Sequence, residues 1–413
     1  MTDGRTYAAV TAAYWGFTLT DGALRMLVLL HFHALGFTPL DLAFLFLLYE
    51  AMGIVTNFLG GWIGARYGLR VTLYAGLAVQ IVALLALSAV GEDWALPLSV
   101  AYVMGAQALS GIAKDLTKMS SKSAVKLVVS EGDGATQSPL FRLVALLTGS
   151  KNALKGVGFF LGGVLLEGVG FAPGLWLMAG ALAAVLVGAL ALVRADLGRA
   201  KRRIERRELF AKSREINLLS FARIFLFAAR DVWFVVGVPI FLYDALGWRF
   251  DEVGAFMALW VIGYGVVQAG VPRLLRSARD AHGATAAARV WGLALAVLPA
   301  AIALALARGW GDETAILIGG LYLFGAVFAV NSALHSYLIV AFSDADKVAL
   351  SVGFYYMANA VGRFAGTLLS GLIYQLAGLT ACLWASAAML LVASLTAMAI
   401  RPKAARTEAP DAR

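Results

Sequence analysis

Six basic residues lie inside long apolar stretches of this sequence, where charge is costly. They are Arg25, Lys151, Lys155, Arg223, Arg230 and Arg363. The same stretches contain three acidic residues, Asp21, Glu50 and Asp231. An ionised side chain at the centre of a bilayer costs roughly 2.5 to 3.5 kcal/mol, so such groups usually face a cavity or each other. The surplus of positive charge predicts that the six basic residues bind a substrate with two or more negative charges, to which arginine offers bidentate contacts.

A row of lysines ends another apolar stretch. Lys114, Lys118, Lys122 and Lys126 follow one another at four-residue intervals, and on a helix this step drifts by only about 40° per repeat. We expect Lys114 and Lys118 to bind substrate at a basic entrance, with Asp115 offsetting one charge; anchoring at the membrane surface is the alternative. We expect Lys122 and Lys126 to be such anchors.

The acidic residues have two candidate roles, charge pairing and proton coupling. Asp21 lies one helical turn before Arg25, and a pair at this spacing can neutralise itself. Asp21 and Glu50 are also candidates for proton-coupling carboxylates. Asp231 directly follows Arg230. Because adjacent residues point about 100° apart on a helix, we expect Arg230 and Asp231 to face different surroundings.

Uncharged polar residues provide weaker candidates. Four of them could donate hydrogen bonds to substrate oxygens or, equally, bond a neighbouring helix: Asn152, Asn331, His335 and Asn359. The four histidines show no metal-ligand spacing and Cys382 is the only cysteine, so we expect no metal site and no cofactor. The sequence has no nucleophile elbow, phosphate-binding loop or dinucleotide fingerprint, so we expect no enzyme.

The elements that carry these residues are membrane helices. The 413-residue chain is 61% hydrophobic and only 14% charged, with a mean hydropathy of +0.80, whereas soluble domains contain about 25% charged residues. Twelve apolar stretches, each near the roughly 20 residues that span a bilayer, predict an all-α membrane protein with twelve transmembrane helices. They begin near Thr6, Thr38, Leu69, Trp94, Pro139, Pro173, Asn217, Asp251, Ala284, Thr314, Lys347 and Leu379.

Charge placement predicts the orientation. Of the 34 Lys and Arg residues, 26 fall in the connections and tails on the side of the N-terminus, and two, Arg249 and Arg308, fall on the other side. This asymmetry predicts that both termini are cytoplasmic. The same asymmetry explains the formal net charge of +9. We therefore expect the lipid bilayer, and not nucleic acid, to be the partner of this charge.

The chain divides into two related halves. "ALGFTPLDLAFLF" from Ala34 resembles "ALGWRFDEVGAFM" from Ala245 at an offset of 211, and Lys155, Gly158 and Gly163 match Arg363, Gly366 and Gly371 at an offset of 208. We therefore predict two pseudo-symmetric six-helix bundles, residues 1–195 and 216–400, with a cytoplasmic linker at 196–215 and a cytoplasmic tail at 401–413. Lys155 and Arg363 would approach a central cavity from opposite sides and repel each other unless an anion lies between them.

Two motifs resemble those of a transporter superfamily. "GGWIGARYGLR" from Gly60 resembles the signature between the second and third spans of the major facilitator superfamily, with Ala65 at the position of its usual aspartate. "GVGFFLGG", residues 156–163, resembles the fifth-span motif of exporter-type members, with Phe159 in place of its proline. The resemblance implies the major facilitator fold, transport by alternating access, and antiport.

A longer stretch resembles a narrower group. "GIAKDLTKMSSKSAVK" at 111–126, followed by "SPLFRLVALLTGSKNALKGVGFFLGG", is similar to the organoarsenical efflux permeases of bacterial arsenic-resistance operons, the ArsJ family, and the similarity runs over essentially the whole chain. The resemblance implies efflux of 1-arseno-3-phosphoglycerate across the bacterial inner membrane and arsenate resistance. It also implies functional pairing with a glyceraldehyde-3-phosphate dehydrogenase, which makes that compound when it uses arsenate in place of phosphate.

Three other functions remain open. An organophosphate/phosphate exchanger would need the same cationic site. A proton-coupled multidrug exporter fits less well, since cationic drugs require net acid in the cavity. A membrane sensor that transports nothing is the alternative from a different class.

Overall fold

The protein is described by a computed structural model that covers residues 2–91, 93–128, 138–193, 213–274, 281–343 and 348–401. Within these residues the chain forms eleven α-helices. They are α1 Thr2–Ala34, α2 Pro39–Leu87, α3 Leu96–Val128, α4 Ser138–Gly168, α5 Phe171–Leu192, α6 Arg214–Phe234, α7 Gly237–Asp244, α8 Phe250–Leu274, α9 Ala281–Arg308, α10 Glu313–Ala341 and α11 Val348–Met398. Most of the predicted linker and tail lies outside the described residues, as do the side chains of Arg66, Lys122 and Lys126.

The prediction of twelve separate helices is corrected by three local features. α2 and α11 each contain two predicted spans that are joined through one non-helical glycine, Gly68 with φ 76° and Gly378 with φ 73°. Only glycine adopts such angles without strain, and the helix resumes at the next residue. The seventh predicted span is instead divided into α6 and α7 at Val235 and Val236.

The helices are suited to a membrane. Nine helical segments in the described residues are long and apolar enough to cross a bilayer, among them Phe171–Leu192 and Ala281–Arg308. Polar caps fix where helices begin. Thr38 and Asp41 form a capping box at the start of α2, and the Asp312 side chain accepts a hydrogen bond from the Ala315 amide at the start of α10. Such caps satisfy backbone amides that have no partner within the helix.

The apolar core differs between the two ends of the bundle. We call the end where α5 ends and α6 begins the linker end, and the end where α1 ends and α8 begins the far end. One buried cluster includes residues of both halves toward the far end, such as Leu27, Phe46, Trp233 and Trp260. Toward the linker end, each half has a separate buried cluster among the described residues, around Phe17 in one case. The two halves are therefore packed together most closely at the far end.

Glycines allow this close packing between the halves. A Cβ atom added to Gly163 of α4 would collide with the backbone of Phe250, and one added to Gly371 of α11 would collide with that of Pro39. Gly163 and Gly371 are the glycines matched at an offset of 208, and Pro39 and Phe250 are separated by 211. The same contact therefore occurs twice, between α4 and α8 and between α11 and α2.

Candidate substrate-binding site

Two arginines from different halves meet at one carboxylate. The Arg25 side chain on α1 donates to Glu50 Oε1 on α2 at 2.7 Å, and Arg363 on α11 donates to the same oxygen at 2.5 Å. Arg25 and Glu50 are 6% and 1% exposed. Glu50 therefore joins the N-terminal and C-terminal helices in the middle of the bundle.

The ion pairs continue into the C-terminal helices. Arg363 Nε lies 3.4 Å from Asp231 Oδ2 on α6, and Arg230 contacts Asp231 Oδ1 through Nε at 2.6 Å and a terminal nitrogen at 2.5 Å. The expectation that Arg230 and Asp231 face different surroundings is wrong. Adjacent side chains leave a helix about 100° apart, but the arginine side chain is long enough to reach its neighbour's carboxylate.

A matching pair lies in the N-terminal helices. Lys155 Nζ on α4 is 3.7 Å from Asp21 Oδ2 on α1, and Tyr49 donates to Asp21 Oδ1 at 2.5 Å. Arg25 pairs with Glu50 rather than with Asp21, so the i,i+4 neutralisation within α1 is not the arrangement seen. We call Asp21, Arg25, Glu50, Lys155, Arg230, Asp231 and Arg363 the central charge cluster.

The expectation for Lys155 and Arg363 is met in one respect and corrected in another. The two belong to equivalent helices, and each lies at ion-pair distance from an acidic residue of the central charge cluster. The anions near them, however, are the protein's own carboxylates of Asp21, Glu50 and Asp231. Any anion that bound between them would therefore compete with these internal acids.

Lysines of α3 adjoin the cluster. Lys114 Nζ lies 3.9 Å from the centroid of the Tyr49 ring, the tyrosine that bonds Asp21. Lys118 Nζ, closer to the linker end, donates to Asn57 Oδ1 at 2.8 Å and lies 4.8 Å from the Tyr356 ring of α11. Neighbouring Asp115 accepts a hydrogen bond from Thr56 and pairs with Lys118 at 3.5 Å. The α3 lysines thus lead from the linker end toward the cluster.

Arg223 is a buried cation held by neutral groups. Its Nε donates to Asn359 Oδ1 at 3.2 Å, and a terminal nitrogen donates to the Ser332 carbonyl at 3.4 Å. Within the described part of the chain no carboxylate lies at ion-pair distance from it. Its guanidinium carbon is 4.0 Å from the Phe227 ring centroid, and that of Arg230 is 4.7 Å from the same centroid. Phe227 therefore spaces two positive groups along α6.

The remaining candidates are dispersed. Half-buried Lys151 lies one turn before Lys155 on α4, and Asn152 donates to Gln268 of α8 at 3.2 Å. Asn331 and His335 do not belong to the central cluster. They line a separate small pocket together with residues of α6, α9 and α11. On α10 it is the backbone carbonyl of Ser332 that bonds Arg223.

Tyr49 is a site residue that the sequence analysis missed. Besides bonding Asp21, its ring centroid lies 5.2 Å from the guanidinium carbon of Arg25, and with Asp21, Arg25 and Gln107 it lines a narrow gap in the packing. Its position directly before an intramembrane glutamate was the available signal. The whole arrangement can bind anions through guanidinium and ammonium groups. Among the described residues no group of three or more His, Cys, Asp or Glu is placed to hold a metal ion.

Comparison with known proteins identifies the fold. No protein-family model and no curated protein sequence matches the chain. Among solved structures it is similar to the nucleoside transporter NupG, with a TM-score of 0.73 at 14% identity over 97% of this chain and 100% of that one. It has the major facilitator fold.

Two further structures share this fold. A bacterial homologue of the iron transporter ferroportin, in its outward-facing state, has a TM-score of 0.66 at 16% identity over 96% of this chain and 98% of that one. The human organic anion transporter MFSD10 has a TM-score of 0.66 at 17% identity over 96% and 99%. These identities establish the fold alone. All three proteins are transporters, which agrees with the expectation of a non-enzyme.

Proposed function

We propose that this protein is a transporter that exports a small organic polyanion across a membrane by alternating access. The observation that carries the proposal is the charge balance around the central cluster. Eight basic residues lie on the helices of the cluster and on the adjoining α3: Arg25, Lys114, Lys118, Lys151, Lys155, Arg223, Arg230 and Arg363. Four acids oppose them, Asp21, Glu50, Asp115 and Asp231. Uncompensated charge is costly at this depth, and a multiply charged anion would offset it.

The proposed substrate is 1-arseno-3-phosphoglycerate, and the proposed outcome is arsenate resistance. Its arsenate and phosphate groups each carry negative charge, which suits a surplus of cations spread over both halves. The only cysteine, Cys382, is buried beside the Ser370 carbonyl at 3.9 Å, away from the cluster. Pentavalent arsenic resembles phosphate in its contacts, so arginine and lysine rather than thiols would recognise it.

The membrane arrangement that goes with this function has twelve crossings. α2 and α11 would each cross twice, turning at Gly68 and Gly378, and α6 with α7 would cross once. Residues 1–195 and 216–400 would be the two bundles, with residues 196–215, 401–413 and both termini in the cytoplasm of a bacterium. The far end would then face outward, and its close packing would be the closed outer side of the transporter.

A reconstituted assay tests this proposal. Vesicles containing the protein would enclose the partner dehydrogenase, glyceraldehyde 3-phosphate, NAD and labelled arsenate. We expect labelled arsenic to leave the vesicles only when every component is present. Release without the dehydrogenase would contradict the substrate, and no release from any vesicle would contradict export.

The organophosphate/phosphate exchanger is the second candidate, since the same cations would bind its substrates. Vesicles loaded with glycerol 3-phosphate separate the two: an exchanger releases it only when phosphate is supplied on the opposite side. Movement of organic cations instead would indicate a multidrug exporter, and movement of no tested compound would indicate a sensor.

A further inference from the structure

Glu50 is the acidic residue of the central cluster that has no equivalent in the second half. The offset of 211 that relates α2 to α8 places Val261 at the corresponding position. Asp21 and Asp231, by contrast, are equivalent at an offset of 210, and Lys155 and Arg363 at 208. The repeated architecture therefore includes an acid–base pair in each half and does not require Glu50.

The contacts of Glu50 are those expected of a bound anion. A single oxygen, Oε1, accepts from Arg25 at 2.7 Å and from Arg363 at 2.5 Å. The two donors come from opposite halves, on α1 and α11. Charge-assisted bonds of this length from two guanidinium groups are also what a phosphate or arsenate oxygen would receive.

We infer that Glu50 is a resident anion that occupies the position of one oxyanion group of the substrate, and that the substrate displaces it from Arg25 and Arg363. This inference rests on the proposed function, because it names the subsite for one end of the transported polyanion. The chemistry that the subsite recognises is a tetrahedral oxyanion, either phosphate or arsenate.

A second cation lies ready for the displaced carboxylate. Lys114 Nζ is 3.6 Å from the position that a Cβ atom on Gly53 would occupy, and Gly53 is one helical turn from Glu50 on α2. Residues three apart share a helix face. Lys114 also contacts the ring of Tyr49, the residue next to Glu50. A Glu50 carboxylate that moved toward Lys114 would therefore gain a charged partner. The displaced carboxylate would then keep a positively charged neighbour when substrate binds.

This role has a consequence for the empty transporter. With Glu50 in place, Arg25 and Arg363 share one counter-charge and the two halves stay joined without substrate. Without a carboxylate, two guanidinium groups would face each other in a low dielectric, where they repel strongly. A transporter lacking Glu50 would therefore need a bound anion in both conformational changes of the transport cycle, and would exchange anions without net export.

Thermal unfolding in detergent tests the resident anion without reference to the transported compound. We expect Glu50→Gln to unfold several degrees below the wild type in phosphate-free buffer, and inorganic phosphate to raise its midpoint much more than that of the wild type. Asp244→Asn removes the same charge at the far end and should respond to phosphate as the wild type does. Equal phosphate shifts for Glu50→Gln and the wild type would overturn the inference.

A second variant covers the case in which Glu50→Gln does not fold. Arg25→Gln/Glu50→Gln removes one of the repelling cations together with the carboxylate. The unfolding midpoint of this double variant should lie closer to that of the wild type than the midpoint of Glu50→Gln does. Phosphate should raise it less than it raises the midpoint of Glu50→Gln that has been purified in phosphate. A double variant that is no better than Glu50→Gln would contradict the proposed repulsion.

Transport by the same variant separates this inference from the proposed function. In vesicles, Glu50→Gln should retain exchange of labelled polyanion between the two sides and lose most net efflux. Equal loss of exchange and efflux would overturn the resident-anion role while leaving export by the wild type intact. Absence of polyanion transport by the wild type would contradict the proposed function, and the phosphate response of Glu50→Gln would still report on the subsite.

Discussion

The two halves of the molecule contain the same ion pair in different settings. In the N-terminal half Lys155 lies 3.7 Å from Asp21, which also accepts from Tyr49. In the C-terminal half Arg363 lies 3.4 Å from Asp231, which is shared with Arg230. The acid and its basic partner recur because the repeat recurs. What differs is the number of cations around the pair.

The surplus arises where the repeat is broken. At an offset of 210, Arg223 and Arg230 of α6 correspond to Ala13 and Thr20 of α1. The same offset places Val235 at the position of Arg25, so each half supplies positive charge that the other lacks, and the N-terminal half also supplies Glu50 to offset part of it. The shared pairs join helices within each half, whereas the departures from symmetry contribute the charges of the proposed anion-binding site.

The largest expected difference between the halves concerns their equivalent cations. Arg363 contacts acids from both halves, and leaving a buried charge without its partner costs about 3 to 5 kcal/mol. We expect Arg363→Ala to lower polyanion efflux more than about a hundredfold, since each 1.4 kcal/mol is about a factor of ten. Lys155→Ala should cause a partial loss of about tenfold, because its contact with Asp21 is longer and Tyr49 also bonds that acid.

Tracer efflux from vesicles, normalised to inserted protein, would measure both variants. Arg308→Ala removes an exposed arginine outside the cluster and serves as the control. Equal losses for Arg363→Ala and Lys155→Ala would mean that the two halves contribute alike.

The repeated glycine contacts at the far end allow a test of symmetry itself. Gly163→Ala and Gly371→Ala would each place a methyl group against the backbone of the other half, and such overpacking costs about 1 to 3 kcal/mol. We expect both to weaken closure of the far end and to slow efflux similarly. Gly319→Ala, where an added Cβ meets nothing within 4 Å, is the matched control. Accessibility of single cysteines introduced at the far end to a membrane-impermeant reagent would report closure, and an effect at one glycine alone would argue against symmetric gating.

The smallest effect is expected at the contact between the equivalent ends of α1 and α7. His33 Nε2 lies 2.8 Å from Asp244 Oδ1, and these residues are 211 positions apart. The aspartate side chain is 50% exposed, and exposed ion pairs contribute about 0.2 to 1 kcal/mol. Asp244→Asn should therefore change the efflux rate by less than about fivefold. A loss as large as that of Arg363→Ala would show that the far-end contact, rather than the cluster, limits transport.

Hydropathy was sufficient to locate most helices but not their continuity. The spans expected from Leu69 and Leu379 do begin after Gly68 and Gly378, because the polar connections there are short. That the helices resume directly depends on one backbone conformation, which hydropathy does not encode. The break between α6 and α7 is apolar on both sides and gave no signal at all.

The composition of the site was more predictable than its pairing. Charge in apolar stretches identified Arg25, Glu50 and Arg363, since few reasons exist to retain such residues in a membrane. Their meeting at one oxygen could not be predicted, because it depends on how α1, α2 and α11 are rotated about their axes. The rotation of α10 about its own axis likewise places Asn331 and His335 at a separate pocket.

Direct binding measures the central claim most simply. Titration of the purified protein with a stable three-carbon bisphosphate, 2,3-bisphosphoglycerate, should release heat of binding that weakens at high salt and is lost in Arg363→Ala, whereas a lipophilic organic cation should not bind. Binding of the cation, or bisphosphate binding that is unchanged in Arg363→Ala, would contradict a site in which cations contributed by both halves hold the substrate.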